Sequence, residues 1–562
     1  MFSTTKEKIT TLVSILISSI LLSVTMFRSG LSYEYGIGFW GPNGHDAIWH
    51  LSLINQLKLS VPPSNPIFSG VTLSNYHWGY DLIVALISKL TQISPSILYF
   101  QILPLIFAIT LGLLSYKFAR LITKNHLISL IFVFLNYFAS SFGWIVTLIK
   151  SGQIGGESLF WSMQSASTLL NPPYALSLII LLWGLILWYQ HRDNKSILWS
   201  VIIGIVFSLL CYIKIYSAIL IGLSLSIYFI LNLLKSRKFS QFNFFVCLFM
   251  GIFSLIILKS LGVFSSNTLL EFKPFWFTHS MIESIDKFYW PKLASYRYNQ
   301  TSFFVSIIIE FFLVILFFVG NLGIRILGIG KFFNIFIKNK LNHIDLLFFS
   351  FLLISFIFPL LFVQKGTAWN TIQFFYYFLF IANFYLAKFL SQIYKKHKIL
   401  TISLLIFASI GSFGTLKDYF GNPPPSSLPV FEIKALNFLQ NQTPGFVLTY
   451  PYDKYIKNNL KTPIPLYAYE TTAYVSAFSQ KPVFLEDEMN LDITGFNWQK
   501  RRLEAINFYT SNDKFYSRGF LLNNNIQYIY LLNNQQLNLS PIDLQIDKIY
   551  DQDGIRIFNV QK

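Results

Sequence analysis

The chain is too apolar and too weakly charged to be a soluble protein. Of its 562 residues, 54% are hydrophobic and only 12% are charged, whereas soluble domains carry about 25% charged residues. The net charge of +18 does not indicate a nucleic-acid partner, because Lys and Arg cluster in short loops beside apolar runs, as in membrane proteins. The two cysteines, Cys211 and Cys247, lie inside apolar runs and fit neither a disulfide framework nor a metal site.

The hydropathy pattern predicts an α-helical polytopic membrane protein with about eleven spans. Residues 9–27 are longer than the apolar core of a cleavable signal, and Lys6 and Lys8 precede them. This places the N-terminus in the cytoplasm. The predicted spans are 9–27, 97–120, 127–146, 173–190, 196–213, 215–234, 241–260, 302–322, 344–363, 372–392 and 399–416.

The charges of the loops predict which segments lie outside the cytoplasm. Alternation from a cytoplasmic N-terminus puts the basic loops inside, among them those with Arg120, Arg192, Lys235, Arg325 and Lys395. The outer segments are then 28–96, 147–172, 261–301, 364–371 and everything after residue 417. We therefore expect a multi-pass protein of the plasma membrane whose C-terminal part is extracytoplasmic.

The stretch 41–50 (GPNGHDAIWH) brings one acid and two imidazoles into a chain that is poor in charge. Gly and Pro at 41–44 end any helix, and the apolar spacing over 46–58 predicts a short amphipathic helix at the membrane interface. Asp46 begins this helix, so it is either an N-cap that satisfies a backbone N–H or a carboxylate aimed at a site on the membrane surface. A second interfacial helix, 80–92, is predicted after the run YHWGYD at 76–81.

Residues 417–562 differ in character and predict a small extracytoplasmic domain. The segment 417–429 contains three prolines followed by two serines and is predicted to be a linker. A helix at 430–441 and four short β-like runs at 445–450, 481–485, 527–532 and 554–558 follow. Residues 430–562 are numerous enough for a core of their own, which predicts an α/β domain. The sequence contains no P-loop, GxGxxG or zinc motif.

The plan of residues 1–416 resembles the GT-C superfamily of membrane glycosyltransferases. The resemblance is carried by His45-Asp46 in the first outer loop, by the two interfacial helices of that loop and by the outer C-terminal domain. The tail pattern TTAYVSAF at 471–478, with Glu486-Asp487 after it, is similar to the tails of bacterial membrane proteins classed near this superfamily. Many members carry two acids in the first motif where this chain has one, so the requirement for a divalent cation stays open.

The resemblance implies transfer of a sugar from a polyprenyl-phosphate donor to an extracytoplasmic acceptor, which is a cell-envelope glycan, a lipid or a protein. The acceptor hydroxyl must lose its proton, and Asp46 is the candidate base, an effect worth about 10²–10⁴-fold. His45 and His50 are expected to orient Asp46 or to bind substrate, since Asp46 and His50 share a helix face. His77 and Asp81 repeat this spacing as substrate-binding candidates, but His77 is equally well explained as an interfacial anchor.

The phosphate of the leaving group requires a cation near the outer membrane edge. Lys365 is the first candidate because it lies in a short outer loop, and Arg297 is the second. Lys365 is as well explained by a lysine that extends its amine to the membrane surface. The other candidate substrate-binding residues are Trp369, Asn370 and Gln373 beside Lys365, and Glu157 in an earlier outer segment.

Two other functions remain open from the sequence. Glu310 lies within span eight, and an ionisable residue at such depth is also typical of a transporter or flippase, here of lipid-linked envelope material. Transporters favour repeated halves and broken helices, and the sequence displays neither. The third alternative is a membrane protein that binds glycan through its tail without catalysis. Substitution of Asp46 separates these functions, because it abolishes transfer by an enzyme and leaves binding by the tail intact.

Overall fold

The computed structural model describes residues 4–193, 196–263, 270–338 and 340–561, and the chain divides into two compact units. Unit 1 contains Met1–Thr25, Pro104–Ser260 and Leu270–Phe420, and unit 2 contains Met26–Leu103, Leu261–Leu269 and Gly421–Lys562. The sequence analysis placed segment 28–96 with the membrane-spanning part, whereas the structure groups it with the tail. The domain borders at residues 416 and 429 stay predictions.

Long apolar helices form the membrane-spanning part. Within the described ranges, nine helices are long and apolar enough to cross a membrane: Thr5–Phe27, Pro95–Thr123, Pro172–His191, Ile215–Ser236, Gln241–Ser260, Phe303–Leu322, His343–Leu361, Ala368–Tyr394 and Lys398–Asp418. The predicted span 127–146 is a pair of helices, His126–Phe138 and Gly143–Ser151, bent by 46°, and the predicted span 196–213 is the shorter apolar segment Ile197–Ile213. All eleven predicted spans are therefore helical, and the chain is a multi-pass membrane protein; the number of crossings stays a prediction.

A buried arginine donates hydrogen bonds to the backbone carbonyl groups at the break between the two bent helices. Arg325 donates hydrogen bonds to the carbonyl oxygens of Ala139 (2.5 Å) and Ser140 (3.1 Å) and to Oδ1 of Asn383 (2.7 Å). These two carbonyls lie where the helix stops, so they need partners outside it. The sequence analysis placed Arg325 in an inner basic loop and did not predict its burial: the structure has it as the first residue of the helix Arg325–Ile337 with a fully buried side chain, and its several N–H donors suit this role.

Ten short strands form three sheets in the part of the chain that the structure describes. The strands are β1 Ser32–Tyr33, β2 Gly36–Phe39, β3 Leu270–Phe272, β4 Phe362–Gln364, β5 Ser426–Leu428, β6 Phe446–Thr449, β7 Ile464–Pro465, β8 Ile526–Leu531, β9 Ile546–Gln552 and β10 Ile555–Val560. In unit 1, β3 pairs with β4. In unit 2, one sheet has the order β1-β2-β5-β7 and the other the order β6-β8-β10-β9. Strand β6 runs parallel to β8, and β10 is antiparallel to both of its neighbours.

The first loop is joined to the tail by a strand that the sequence analysis assigned to a linker. Strand β5 is fully buried and pairs with β2, with Ile37 opposite Leu428 and Phe39 opposite Ser426. Gly36 lies at φ +117°, and a Cβ there would collide with the carbonyl oxygen of Leu428. This close approach requires glycine, and the pairing makes residues 426–428 part of the core of unit 2.

Helices complete unit 2. They are Asp46–Leu57, Gly79–Thr91, Val430–Gln440, Leu466–Tyr469, Tyr474–Ser479, Glu488–Thr494, Trp498–Thr510, Lys514–Asn523 and Pro541–Leu544. The helix Asp46–Leu57 is buried at every position after Asp46. It packs against Gly79–Thr91 and Tyr474–Ser479, and Asn55 Nδ2 donates a hydrogen bond to the carbonyl oxygen of Ala477 (2.8 Å). The expectation of an amphipathic interfacial helix at 46–58 is therefore wrong, because protein covers both faces; Gly79–Thr91 does keep an exposed apolar face.

The remaining helices of unit 1 are shorter. They are Gln164–Leu170, Trp276–Glu283, Pro291–Tyr298 and Arg325–Ile337.

Candidate active site

Asp46 is the first residue of its helix and not its N-cap. Residues Gly41–Gly44 form a 3-10 turn, and His45 occupies the N-cap position without a side-chain capping bond. The Asp46 side chain is 50% exposed, whereas His45 beside it is buried. The capping explanation for Asp46 is therefore wrong, and the structure leaves its carboxylate at the surface of unit 2, where a substrate can reach it.

His45 lies between two carboxylates. Its Nδ1 is 2.9 Å from Oδ1 of Asp46, and its Nε2 is 3.3 Å from Oδ1 of Asp487. Burial by itself would lower the pKa of His45, but the Asp487 and Asp46 carboxylates outweigh burial and hold that pKa well above its ordinary value. We infer that His45 is an imidazolium at neutral pH: Nδ1 shares a hydrogen bond with Asp46, and Nε2 lies at ion-pair distance from Asp487 without the geometry of a hydrogen bond.

Asp487 is a candidate site residue to which the sequence analysis assigned no role. It is fully buried and adopts a left-handed backbone conformation (φ +46°) at the N-terminus of the helix Glu488–Thr494. Its side chain accepts hydrogen bonds from the backbone N–H (3.1 Å) and from Nδ2 (2.7 Å) of Asn490. Strained non-glycine conformations of this kind cost about 1–3 kcal/mol and cluster at functional sites. The conspicuous Glu486-Asp487 pair was the available signal, but nothing in the sequence connected it to His45.

The tail pattern TTAYVSAF has a structural explanation. Residues Tyr474–Ser479 form the helix that packs on Asp46–Leu57. The Glu486 carboxylate accepts hydrogen bonds from the backbone N–H groups of Val475 (2.9 Å) and Ser476 (3.0 Å). These N–H groups at a helix start have no partner within the helix, so Glu486 fixes the helix against which Asp46–Leu57 is held.

His50 contacts Asp81 and not Asp46. Its Nδ1 is 2.7 Å from Oδ1 of Asp81, and both side chains are buried. Tyrosines 76, 80 and 99 pack around the His50 ring. His50 was expected to orient Asp46 or to bind substrate, and the structure instead pairs it with Asp81, which joins the two helices of the first loop.

His77 lies at the start of the second helix of the first loop. It is partly buried, and its ring stacks on Tyr76 with 4.9 Å between centroids. This contact fits the anchor explanation, and a role of His77 in substrate binding stays a prediction.

A cavity opens in the tail beside Asp487. Its volume is about 260 Å³. Tyrosines and acids dominate its polar lining, which includes Tyr452, Tyr467, Glu470, Asp487 and Glu488. Burial raises the pKa of Glu470, so this carboxyl group keeps its proton more readily than an exposed one. Hydroxyl, carboxyl and aromatic groups together suit a ligand that is rich in hydroxyl groups.

In unit 1, Asn370 and Gln373 belong to a cluster of amide side chains that ends on a lysine. Asn370 donates to Oε1 of Gln364 (2.9 Å), and Gln373 contacts both Asn370 and Asn171. The buried amine of Lys214 lies 3.3 Å from Oδ1 of Asn171. We call these five residues the amide cluster. The sequence analysis did not single out Lys214, although it is a cation between two apolar runs with almost no loop.

The amide cluster joins the N-terminal ends of three long helices. Asn171 and Lys214 precede Pro172–His191 and Ile215–Ser236, and Gln373 begins Gln373–Tyr394. Helices whose N-terminal ends meet begin on the same side of a membrane. The predicted spans four, six and ten should do so if the spans alternate, so the cluster agrees with the predicted order of crossings.

Lys365 and Trp369 lie in the turn after β4 and are exposed. Within the described part of the chain, Lys365 takes part in no ion pair. Exposure leaves both residues available to a ligand and equally suits the snorkelling explanation, so their assignment stays a prediction.

Arg297 and Glu310 neutralise each other. Arg297 Nε donates to Glu310 Oε1 (2.7 Å), and His279 Nε2 lies 2.7 Å from Glu310 Oε2. Arg297 Nη2 is also 3.1 Å from Nδ1 of His279. These mutual contacts give the charges of Arg297 and Glu310 a structural explanation. They therefore weaken the prediction that Arg297 binds phosphate and the alternative in which Glu310 takes part in transport.

Glu157 is buried inside unit 1 rather than displayed on a loop. Its Oε1 accepts a hydrogen bond from Ser412 Oγ (2.8 Å), and its backbone carbonyl accepts one from Ser141 Oγ (2.9 Å). These contacts join segments that are distant in the chain. They explain Glu157 as a structural residue, and substrate binding by Glu157 stays a prediction.

The donor set around Asp46 does not suit a divalent metal ion. Among the described residues, no three His, Cys, Asp or Glu side chains form a group that could hold one. Nδ1 of His45 lies 2.9 Å from Asp46 and Nε2 lies 3.3 Å from Asp487, and a doubly protonated ring would offer no lone pair to a metal. The oxygens of Asp487 already accept hydrogen bonds from Asn490.

Comparisons with known proteins find similarity in structure and not in sequence. No protein-family model matches the chain, and no curated protein matches it. The Archaeoglobus fulgidus oligosaccharyltransferase in complex with Zn and sulfate is 13% identical with a TM-score of 0.51, and the match covers 92% of this chain and 67% of that chain. The same enzyme tethered with an acceptor peptide containing the NVT sequon is 11% identical with a TM-score of 0.51, over 98% and 74%.

A third structure extends this likeness. The archaeal oligosaccharyltransferase AglB from Archaeoglobus fulgidus, in complex with an inhibitory peptide and a dolichol-phosphate, is 11% identical with a TM-score of 0.51, over 94% of this chain and 70% of that chain. At such low identity the likeness concerns the fold alone. The expectation of a polytopic helical architecture is confirmed at the level of fold: the chain is a multi-pass membrane protein whose fold is similar to that of the oligosaccharyltransferase AglB.

Proposed function

We propose that this protein is a membrane glycosyltransferase that moves a sugar from a polyprenyl-phosphate donor to an extracytoplasmic acceptor. The observation that carries the proposal is the half-exposed carboxylate of Asp46. It contacts the buried ring of His45, and that ring in turn lies at ion-pair distance from the buried Asp487. A rigid support beneath an exposed ionisable group is what a catalytic group requires. The fold supports the same class of reaction, because one similar solved structure is a complex with a dolichol-phosphate.

In the proposed reaction Asp46 takes the proton of an acceptor hydroxyl. The acceptor oxygen forms a bond to the anomeric carbon of the donor sugar, and the bond between that carbon and the phosphate oxygen breaks. The electron pair of the broken bond leaves with the lipid phosphate, and the proton stays on the carboxylate until it passes to water. General base catalysis of this kind typically contributes about 10²–10⁴-fold.

We propose that the donor phosphate binds at the amide cluster. Lys214 supplies a positive charge, and the N–H₂ groups of Asn171 and Asn370 supply further donors. Lys214 is a better candidate for the phosphate ligand than the exposed Lys365 because Lys214 is buried, and a charge-assisted hydrogen bond is stronger where water is excluded. Lys365 is the second candidate. The site faces outward if the predicted topology holds, as does the tail.

We propose that the tail cavity beside Asp487 receives the acceptor. Its tyrosines offer rings and hydroxyl groups, and its carboxyl groups accept hydrogen bonds from sugar hydroxyls. Such a lining favours a neutral or cationic acceptor rich in hydroxyl groups over an anionic one. The cell-envelope glycans named above fit this description.

The proposal is tested by incubating the purified protein in lipid nanodiscs with a panel of polyprenyl-phosphate sugars and an extract of envelope glycans. We expect one donor to be consumed and its lipid phosphate to appear in equal amount. A protein that moves a donor across sealed proteoliposomes but leaves it chemically intact is a flippase. Binding of glycan without consumption of any donor would identify a non-catalytic glycan-binding protein. Either result would refute the proposed function.

A further inference from the structure

His45 stands where a catalytic site of this kind could hold a divalent ion. The GT-C resemblance leaves a metal requirement open, and one solved structure of the same fold is a complex with Zn. In this chain the imidazole of His45 occupies the space between the carboxylates of Asp46 and Asp487. A metal ion there would have to displace His45 from at least one of them.

We propose that His45, held by Asp487, supplies the positive charge beside Asp46 and that sugar transfer by this protein needs no divalent metal. The inference rests on the proposed function and specifies its chemistry. Asp487 is then a positioning residue that acts through His45: it also lines the proposed acceptor cavity, but its effect on the reaction comes from the ion pair with Nε2 of the ring. Since Asp487 belongs to the tail, the tail takes part in building the catalytic site as well as in binding.

The surroundings of His45 support a permanent positive charge. The groups that face it are Asp46 on its own helix, Asp487 before the helix Glu488–Thr494, and Glu470 after the helix Leu466–Tyr469. All three are acids, and burial apart, the main influences on the pKa of His45 are the carboxylates of Asp487 and Asp46, which raise it. The ring is buried, so water screens these interactions weakly. Asp487 is also tied to Asn490 by two hydrogen bonds, which fixes the carboxylate that faces the ring.

The first test asks directly about metal and does not depend on turnover. Zn²⁺ and Mn²⁺ are titrated separately into the full-length protein in nanodiscs after dialysis against EDTA, with the His45→Gln variant as reference. We expect no binding site that is lost in His45→Gln. Nitrogen NMR of the labelled protein should find His45 protonated on both nitrogens at pH 7.5. A stoichiometric metal site that depends on His45, or a singly protonated ring, would overturn the inference.

The second test uses the reaction itself. Donor consumption by the wild-type protein should be unchanged by EDTA and should not rise when Mg²⁺, Mn²⁺ or Zn²⁺ is added. If the wild-type protein consumes a donor only after a metal is restored, the proposed function stands and this inference fails. If no donor is consumed under any condition, the proposed function fails, and the metal titration and the NMR measurement still decide the protonation of His45.

A third test identifies Asp487 as a positioning residue. Asp487→Asn retains the ability to cap its helix but removes one negative charge from His45, so the ring should lose its second proton at lower pH. We expect the alkaline limb of the kcat/KM profile to move to lower pH and kcat/KM to fall about 10-fold or more at pH 7.5. The matched control is Asp513→Asn, which changes the capping aspartate of the helix Lys514–Asn523; its pH profile should equal that of the wild type. An Asp487→Asn profile with unshifted limbs would show that Asp487 is only a cap and would overturn the inference.

Discussion

Replacement of Asp46 by Asn separates catalysis from folding more sharply than any other single change in this protein. The amide has nearly the same shape as the carboxylate, and its oxygen can still accept the hydrogen bond from His45 Nδ1. In the wild-type protein these two atoms, His45 Nδ1 and Asp46 Oδ1, are 2.9 Å apart. Asp46 is not the cap of its helix, and the helix is held by burial of its other residues. The structural cost of the substitution includes the half-exposed ion pair with His45.

The two effects of this substitution differ in size. A half-exposed ion pair contributes about 0–1 kcal/mol to stability, so the melting temperature should change by a few degrees at most. Loss of a general base should reduce kcat by about 10²–10⁴-fold, which corresponds to about 2.7–5.5 kcal/mol of activation free energy. The kinetic effect should therefore exceed the structural effect several-fold.

The assay measures steady-state donor consumption together with thermal unfolding of the same nanodisc preparation. Asp551→Asn is the matched control, because Asp551 is also about half exposed and also forms an ion pair, with Lys548. The control should keep both turnover and stability. Near wild-type turnover by a stable Asp46→Asn variant would refute the role of Asp46 as the base.

Three further predictions concern the donor site, the tail and the topology. Lys214→Gln should lower kcat/KM for the donor about 10- to 150-fold through loss of a charge-assisted hydrogen bond, whereas Lys365→Gln should have a smaller effect; the reverse order in steady-state kinetics would return the phosphate to Lys365. Burial raises the pKa of Glu432 from 4.5 to about 8, so between these pH values the carboxyl group is protonated in the folded state and ionised in the unfolded state. The free energy of unfolding should therefore fall as the pH rises through this range, by on the order of 1.4 kcal/mol per pH unit. Burial raises the pKa of Glu486 to about 8 as well, so Glu432→Gln should make this decline less steep in a pH series of thermal unfolding, and an unchanged slope would contradict the assignment to Glu432. Alkaline phosphatase fused after residue 420 should be active outside the cytoplasm, and activity there of a reporter that works only in the cytoplasm would invert the topology.

The membrane-spanning helices and three of the six tail strands could be predicted because local signals decide them. An apolar run of membrane-spanning length has few alternatives to a helix, and all eleven predicted spans are helical. The helix Val430–Gln440 and strands β6, β8 and β10 also lie where the sequence placed them. Strand β9 was missed because it is an edge strand with mostly exposed polar residues, which lack the alternation of a half-buried strand.

The candidate site could be predicted only in part because its contacts are long-range. The sequence singled out His45 and Asp46 from their chemistry, but it paired Asp46 with His50 from helix spacing alone. Tertiary structure pairs His50 with Asp81 and brings Asp487 to His45. Strand pairing between β2 and β5 holds the first loop against the tail. No local pattern predicts this pairing, and the prolines and serines in and before β5 were interpreted as a linker. Arg325 was misjudged for the same reason: its partners Ala139 and Ser140 are far away in the chain.

Photo-crosslinking of a lipid-linked donor tests the central claim most directly, namely that the donor sugar reaches the carboxylate of Asp46. The probe is a polyprenyl-phosphate sugar with a diazirine on the sugar ring, bound to the Asp46→Asn variant so that it is not consumed, and the labelled peptides are identified by mass spectrometry. We expect labelling of the peptide that contains residues 41–50, and loss of that labelling when excess unlabelled donor is added. Labelling that spares residues 41–50, while other parts of the chain are labelled in a way that unlabelled donor suppresses, would contradict the claim that Asp46 is at the site of transfer.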